Sequence, residues 1–322
     1  MAAPKVDKAR QYLVDQYISA LTEGKIPWAK GWVSNYHPMQ NGSTHKAYGG
    51  MNQLILSISA EVNEFTDYRW YTFNQAKSLG YKVKKGSHGT PLSYPTVYLD
   101  GKAISIEDFK QLKKEDQDRC IWGRKTFTVF NAEQIEGVPE LKIEAAPRTI
   151  NGSELVEQIR NGLGTKLRFH GDEAYYSPLK DQVTMPPKDQ FLSNEEYDST
   201  LLHELCHSTG HPGRMARDLT GRFGSESYAK EELRAEIASS FLMQSLQLPM
   251  PQSHIENHKA YIQSWIGVLQ KDPKELFAAI KDAESIEKYA LEKGGINKEA
   301  LLTNSEKQPE KMVEKKSSDL ER

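Results

Sequence analysis

Residues 203–207 read His-Glu-Leu-Cys-His. Positions four apart on an α-helix lie on one face, so His203 and His207 can present two imidazoles to a single cation. Glu204 stands beside them, where a carboxylate can take a proton from a water in the same place. Two ligands plus a base at this spacing make a hydrolytic device of the zinc-peptidase kind. Leu201, Leu202 and Leu205 supply the apolar side that packs such a helix into a core.

A catalytic zinc needs a third protein ligand and an open position for water. A histidine six residues after the second would serve, but position 213 is Gly. His211 is near in sequence, yet it follows Gly210, where the helix is expected to end. The segment KEELRAEIASSFL offers Glu232 and Glu236, four apart and therefore on one face. We take Glu232 as the third ligand and Glu236 as the carboxylate that fixes the tautomer of a ligand imidazole. Glu231 is expected to point elsewhere on the helix. His211 and Tyr228 are candidates to meet a substrate or its oxyanion, and each could equally be a helix-end cap or a packed aromatic.

The elements that must hold these groups follow from periodicity and breakers. Helices are expected at about 193–209, 225–246 and 255–270, with a shorter one near 273–292. Ahead of them come a helix at Ser153–Gly162 and strands near 167–169, 173–176 and 182–185. The front of the chain opens on a helix, where Val6, Tyr12, Leu13, Tyr17, Ile18 and Leu21 recur before Gly24 and Pro27. Helices at Met51–Val62 and Thr72–Leu79 follow, then strands at 81–84, 91–99 and 125–135. Residues 103–120 read as a charged helical insertion, and 137–153 as a linker. The fold class is therefore α/β of the α+β type in two domains, 1–145 and 146–302, followed by a charged tail at 303–322 with no buriable face.

The composition, 38% hydrophobic and 27% charged with a net charge of −2, is that of a globular chain. No apolar run approaches the roughly 20 residues of a membrane helix, and residues 1–17 lack the pattern of a signal peptide. The two cysteines, Cys120 and Cys206, make no disulfide framework, so a reducing cytoplasm is the expected compartment. Charge is uneven: residues 1–90 carry 11 Lys and Arg against 6 Asp and Glu, and the remainder carries 31 against 38. A basic front half leans toward an anionic partner. Lys82, Lys84, Lys85 and His88, beside Gly86 and Gly89, form a basic glycine turn suited to phosphates. Trp28 and Tyr48 are candidate stacking platforms for bases, although such rings more often belong to a core.

The segments IPWAKGW, AYGGMNQLIL, RWYTFNQAKSLGYKVKKGSHGT and FTVFNAEQIEGVP resemble the N-terminal domain of ArdC-type antirestriction proteins. YYSPLKDQVTMPPKDQF, HELCHSTGHPGR and YAKEELRAEIASSFL resemble that family's metallopeptidase domain, in order over roughly residues 10–250. The resemblance implies a front domain that binds single-stranded DNA and a zincin-like rear domain. It implies carriage by a mobile element, such as a conjugative plasmid, that shields incoming DNA from host restriction. It also implies His203, His207 and the glutamate of the EELRAE helix as ligands of one zinc, or of another divalent cation such as Mn2+, with Glu204 as base. Residues 103–120 and the tail map onto no part of the family pattern. Two rival functions remain: a DNA-targeted metalloprotease that cleaves DNA-bound proteins, a restriction enzyme or other host protein among them, and a non-enzymatic DNA-binding protein with a structural metal.

Overall fold

The computed structural model describes residues 8–24, 38–141, 151–249, 251–297 and 301. Trp28, the 142–150 part of the linker and the tail expected at 303–322 lie outside the described residues. The chain divides into two compact units, one of residues 38–141 and the other of the segments before and after it. Helix α1 (Lys8–Thr22) belongs to the second unit, where it packs on α9 (Gln252–Lys271). Val14, Tyr17, Ala20 and Leu21 of α1 are buried. The expected division at residue 145 therefore differs from the structure at the front: the apolar stripe of α1 is satisfied by a helix more than 200 residues away.

In the 38–141 unit a five-stranded sheet runs in the order β1-β2-β6-β4-β5. Its strands are β1 (Gln40–Asn41), β2 (Arg69–Thr72), β4 (Thr90–Leu99), β5 (Lys102–Ile104) and β6 (Ile121–Asn131). Helix α2 (Gly50–Val62) covers part of one face through Leu54, Ile55, Leu56 and Ile58. On the other face Tyr71, Ala76, Ala132 and Ile135 form a small core beneath α3 (Phe73–Ser78) and the pair β3 (Lys82–Val83) and β7 (Ile135–Glu136). Thr72 starts α3 with a reciprocal cap, its hydroxyl accepting from Gln75 N–H while the Gln75 side chain accepts from Thr72 N–H.

Two expectations need correction here. The strand expected at 125–135 begins four residues earlier, because β6 pairs antiparallel with β4 from Ile121 to Val129; residues 132–134 then turn before β7. The insertion is not wholly helical. It opens with β5, which extends the sheet beside β4, and only then forms the short helices α4 (Ile106–Gln111) and α5 (Lys114–Asp118).

In the second unit α6 (Gly152–Leu163) ends on Gly164, whose φ of 67° lets its N–H close the last turn. A three-stranded sheet follows in the order β8-β10-β9, made of β8 (Lys166–Phe169), β9 (Tyr175–Ser177) and β10 (Gln182–Met185). β10 runs parallel to β8 and antiparallel to β9, so β9 is an edge strand. Helices α7 (Asn194–Ser208), α8 (Glu226–Ser245), α9 and α10 (Lys274–Lys293) complete the unit. α7 and α8 are buried on nearly every side, with Leu201, Leu202, Leu233, Ile237 and Leu242 fully enclosed. Among the described residues no helix is long and apolar enough to cross a membrane.

Candidate metal centre

The hydroxyl of Ser193 caps α7 by accepting from Glu196 N–H, and Ser225 caps α8 through Tyr228 N–H. The two helices pack against each other, and α7 also packs against β9 and β10. Their crossing puts His203, Glu204 and His207 opposite Glu231, Glu232 and Glu236.

The Nε2 atoms of His203 and His207 are 3.2 Å apart. Oε2 of Glu232 lies 3.5 Å from the first and its Oε1 3.4 Å from the second. One ligand atom from each of these three residues falls within 4.8 Å of the others. Each imidazole has a carboxylate at its other nitrogen: Oε2 of Glu236 is 3.4 Å from Nδ1 of His203, and Oε1 of Glu231 is 3.3 Å from Nδ1 of His207. This leaves both Nε2 lone pairs for a cation, the usual arrangement around a ligating histidine. Two imidazoles and a carboxylate, with further carboxylates behind them, fit a divalent cation.

Glu231 is the residue that the sequence placed wrongly. One step along a helix turns a side chain by about 100°, which is too little to remove Glu231 from α7 when the helices pack this closely. Arg217 was not foreseen at all. It donates through Nη2 to Oε1 of Glu231 at 2.7 Å and through Nε to Oε2 at 3.1 Å.

Burial makes these charges matter. It pushes His207 toward neutrality, but Glu232 and Glu231 push harder the other way and hold it up to about 9. Burial likewise opposes the charge on His203, and Glu232 with Glu236 raises it well above the ordinary histidine value. Burial would raise Glu232 and Glu231, yet both sit below the usual carboxylate value because His207 faces them, helped by His203 for Glu232 and by Arg217 for Glu231. Glu204 is the exception. Its burial outweighs the two imidazoles and raises it, so it holds a proton more readily than an exposed glutamate.

These shifts set a pH dependence for the metal-free protein. A raised His207 stabilises the fold fully below its ordinary 6.5 and loses that contribution as pH climbs through about 9. Glu231 and Glu232, held below 4.5, contribute above that value and lose it in acid. Thermal stability without metal is expected to be greatest between pH 4.5 and 6.5 and to decline toward pH 9. A melting temperature that is flat from pH 6.5 to 9 contradicts the assignment.

The residues border a cleft of about 500 Å³ whose other walls are β9, the loop residues Asp218, Leu219 and Gly221, and the rings of Tyr228 and Tyr261. Gly221 is needed there, since a Cβ would lie 2.5 Å from the backbone nitrogen of Tyr228. Tyr176 N–H donates to Glu204. Tyr228 and Tyr261 bring their hydroxyls within 3.3 Å, and burial, then Tyr261 and Glu232, keep Tyr228 protonated far above its ordinary range. Tyr261 was not foreseen, because nothing in its sequence surroundings marks it. His211 is not among the residues lining the cleft; its Nδ1 accepts from Gly213 N–H in the loop after α7.

In the 38–141 unit the basic turn is exposed but partly engaged. Lys84 donates to the Glu133 carbonyl at 2.7 Å, Lys82 lies 4.0 Å from Glu136, and the His88 carbonyl accepts from Gln134. Lys85 is exposed. Tyr48 is half-buried and its hydroxyl accepts from Asn41. Exposed cations and rings occur together instead on β4 and β6, where Lys125 pairs across from Tyr94 and Arg124 follows the exposed Trp122.

Comparison with known proteins also finds two parts, with the front match reaching back over α1. Residues 154–282 match the family of zincin-like metallopeptidases, and residues 7–130 match the N-terminal domain of anti-restriction factor ArdC. The crystal structures of antirestriction ArdC protein from the R388 plasmid, metal-free and Mn(II)-bound, are both 32% identical at a TM-score of 0.67. The metal-free one covers 90% of this chain and 98% of that one; the Mn(II)-bound one covers 88% and 97%. Two Escherichia coli proteins named DNA primase TraC are 39% and 38% identical over 87% of this chain, which spans only 20% and 27% of their length. The uncharacterized protein y4eC of Sinorhizobium fredii is 32% identical over 85% of this chain and 88% of its own. With both parts matched in order, and a solved ArdC covered almost end to end, the chain belongs to the ArdC family of antirestriction proteins.

Proposed function

We propose that the protein binds single-stranded DNA through its 38–141 unit, protects incoming mobile-element DNA from host restriction, and carries a working zinc peptidase centre. The observation that carries the peptidase reading is the convergence of His203, His207 and Glu232 in a cleft that also holds Glu204. Zinc suits two imidazoles and a carboxylate; the Mn(II) found in the R388 relative makes manganese the second choice.

A cation held there supplies Lewis acidity toward a carbonyl and acidity to a water. The chain's own residues do the rest. The free edge of β9 aligns an extended peptide by main-chain hydrogen bonds. Glu204 takes the proton of the attacking water and delivers it to the leaving amine. The Tyr228 hydroxyl, kept protonated, donates to the carbonyl oxygen as charge gathers on it. Glu236 and Glu231 hold the two rings in place.

For the DNA-binding unit, affinity for single strands is expected to fall steeply with salt as phosphate contacts release counterions. Lys84→Glu combined with Lys85→Glu should weaken binding and flatten the salt dependence by about one unit of slope per lost phosphate contact. Titrations of the full chain at three salt concentrations read this. Unchanged affinity and slope place the DNA elsewhere, with Arg124 and Lys125 next to be tested.

A transfer assay into a restricting host tests the function itself. The protein is expected to raise survival of incoming DNA, the lysine variant to lose that effect, and Glu204→Gln to keep it. Loss of protection in Glu204→Gln favours the second reading, a DNA-targeted protease acting on DNA-bound proteins, for which the intact cleft is the observation.

A further inference from the structure

Arg217 does more than accompany Glu231. Its guanidinium is nearly buried and every arm is engaged: Nη1 donates to Thr209 Oγ1 at 2.7 Å, Nη2 to the Cys206 carbonyl at 2.8 Å, and Nε with Nη2 to the two oxygens of Glu231. Cys206 and Thr209 lie at the C-terminal end of the metal-motif helix, where a cation also meets the negative end of the helix dipole. Glu231 is on α8 and faces Nδ1 of His207.

The backbone is bent to put Arg217 there. Ala216 has a φ of 49°, a left-handed conformation that a residue with a Cβ rarely adopts. The bend is held by Ala216 N–H on the His211 carbonyl and Arg217 N–H on the Gly210 carbonyl. The next residues, Asp218, Leu219 and Gly221, line the cleft. One side chain thus touches the end of α7, the carboxylate behind a ligand histidine, and the start of the substrate-facing loop.

We propose that Arg217 is a positioning residue that couples cation retention at His207 to the order of the cleft wall at 209–225. The coupling rests on the metal-centre reading above. With Arg217 in place, Glu231 is fixed and the His207 ring keeps Nε2 aimed at Glu232. Without it, Glu231 becomes a loose carboxylate beside two others, and the loop loses its anchor to both helices. Because linkage is reciprocal, a cation that tightens His207 must also tighten the loop.

The test uses the full chain with Mn2+ as probe, measuring affinity by chelator competition and amide hydrogen exchange over 209–225. In the wild type, Mn2+ is expected to slow exchange there. Arg217→Ala is expected to lower affinity about 10- to 100-fold and to abolish the Mn2+-dependent protection. Glu231→Gln is expected to do the same, and the double variant to lose little more than either single one, since both break one connection. If Arg217→Ala fails to fold, Arg217→Lys keeps the charge but not the fork and carries the test with Glu231→Gln. A folded Arg217 or Glu231 variant with wild-type Mn2+ affinity overturns the proposal, as does loop exchange in the wild type that ignores Mn2+. His207→Ala separates this from failure of the metal centre: if the wild type binds Mn2+ no better than His207→Ala, both readings fall together.

Discussion

Glu204→Gln is expected to leave metal content unchanged and to slow peptide hydrolysis by about 10²- to 10⁴-fold, the range a general base contributes. The amide keeps the shape and the hydrogen bond from Tyr176 N–H but cannot take a proton from water. The carboxylate is suited to that task because burial raises its proton affinity against the pull of two imidazoles. Cleavage of an unstructured protein such as casein, followed at constant metal occupancy, reads the effect. Equal rates for variant and wild type remove Glu204 from the reaction. Metal lost along with activity would mean that the residue supports the site and does not act as its base.

The second large effect is on metal binding. Glu232→Ala removes the proposed third ligand, whose two oxygens lie near both Nε2 atoms, and metal content is expected to fall from one per chain to near zero. Glu236→Ala removes a carboxylate behind His203 only. Its loss is expected to lower affinity about 10- to 100-fold and leave the stoichiometry at one when metal is in excess. Elemental analysis after dialysis, followed by titration, separates the two. The reverse order would mean that ligand and support are exchanged.

The site residues legible from sequence are those whose relation is carried within one helix. His203 and His207 share a face by spacing alone, as do Glu232 and Glu236, and both helices formed within a residue or so of their expected ends. What the sequence did not show depends on how separate pieces meet. Glu231 matters because of where α8 crosses α7. Arg217 matters because a bend at Ala216 brings it back under α7, and Tyr261 because α9 ends up beside the N-terminal turn of α8. The basic turn shows the converse. Lysines between glycines suggest free charge, but β7 and the turn before it supply carbonyl and carboxylate partners to Lys84 and Lys82. Helix α1 likewise carries an ordinary apolar stripe, and a stripe does not say which distant helix will cover it.

The most direct measurement on the metal centre is an anomalous difference map from crystals of the protein grown with Mn2+ or Zn2+. One strong peak is expected within bonding distance of Nε2 of His203, Nε2 of His207 and a carboxylate oxygen of Glu232, with Glu204 outside the ligand set and a position open toward the cleft. A peak elsewhere, or one closed off by a fourth protein ligand, would contradict this assignment.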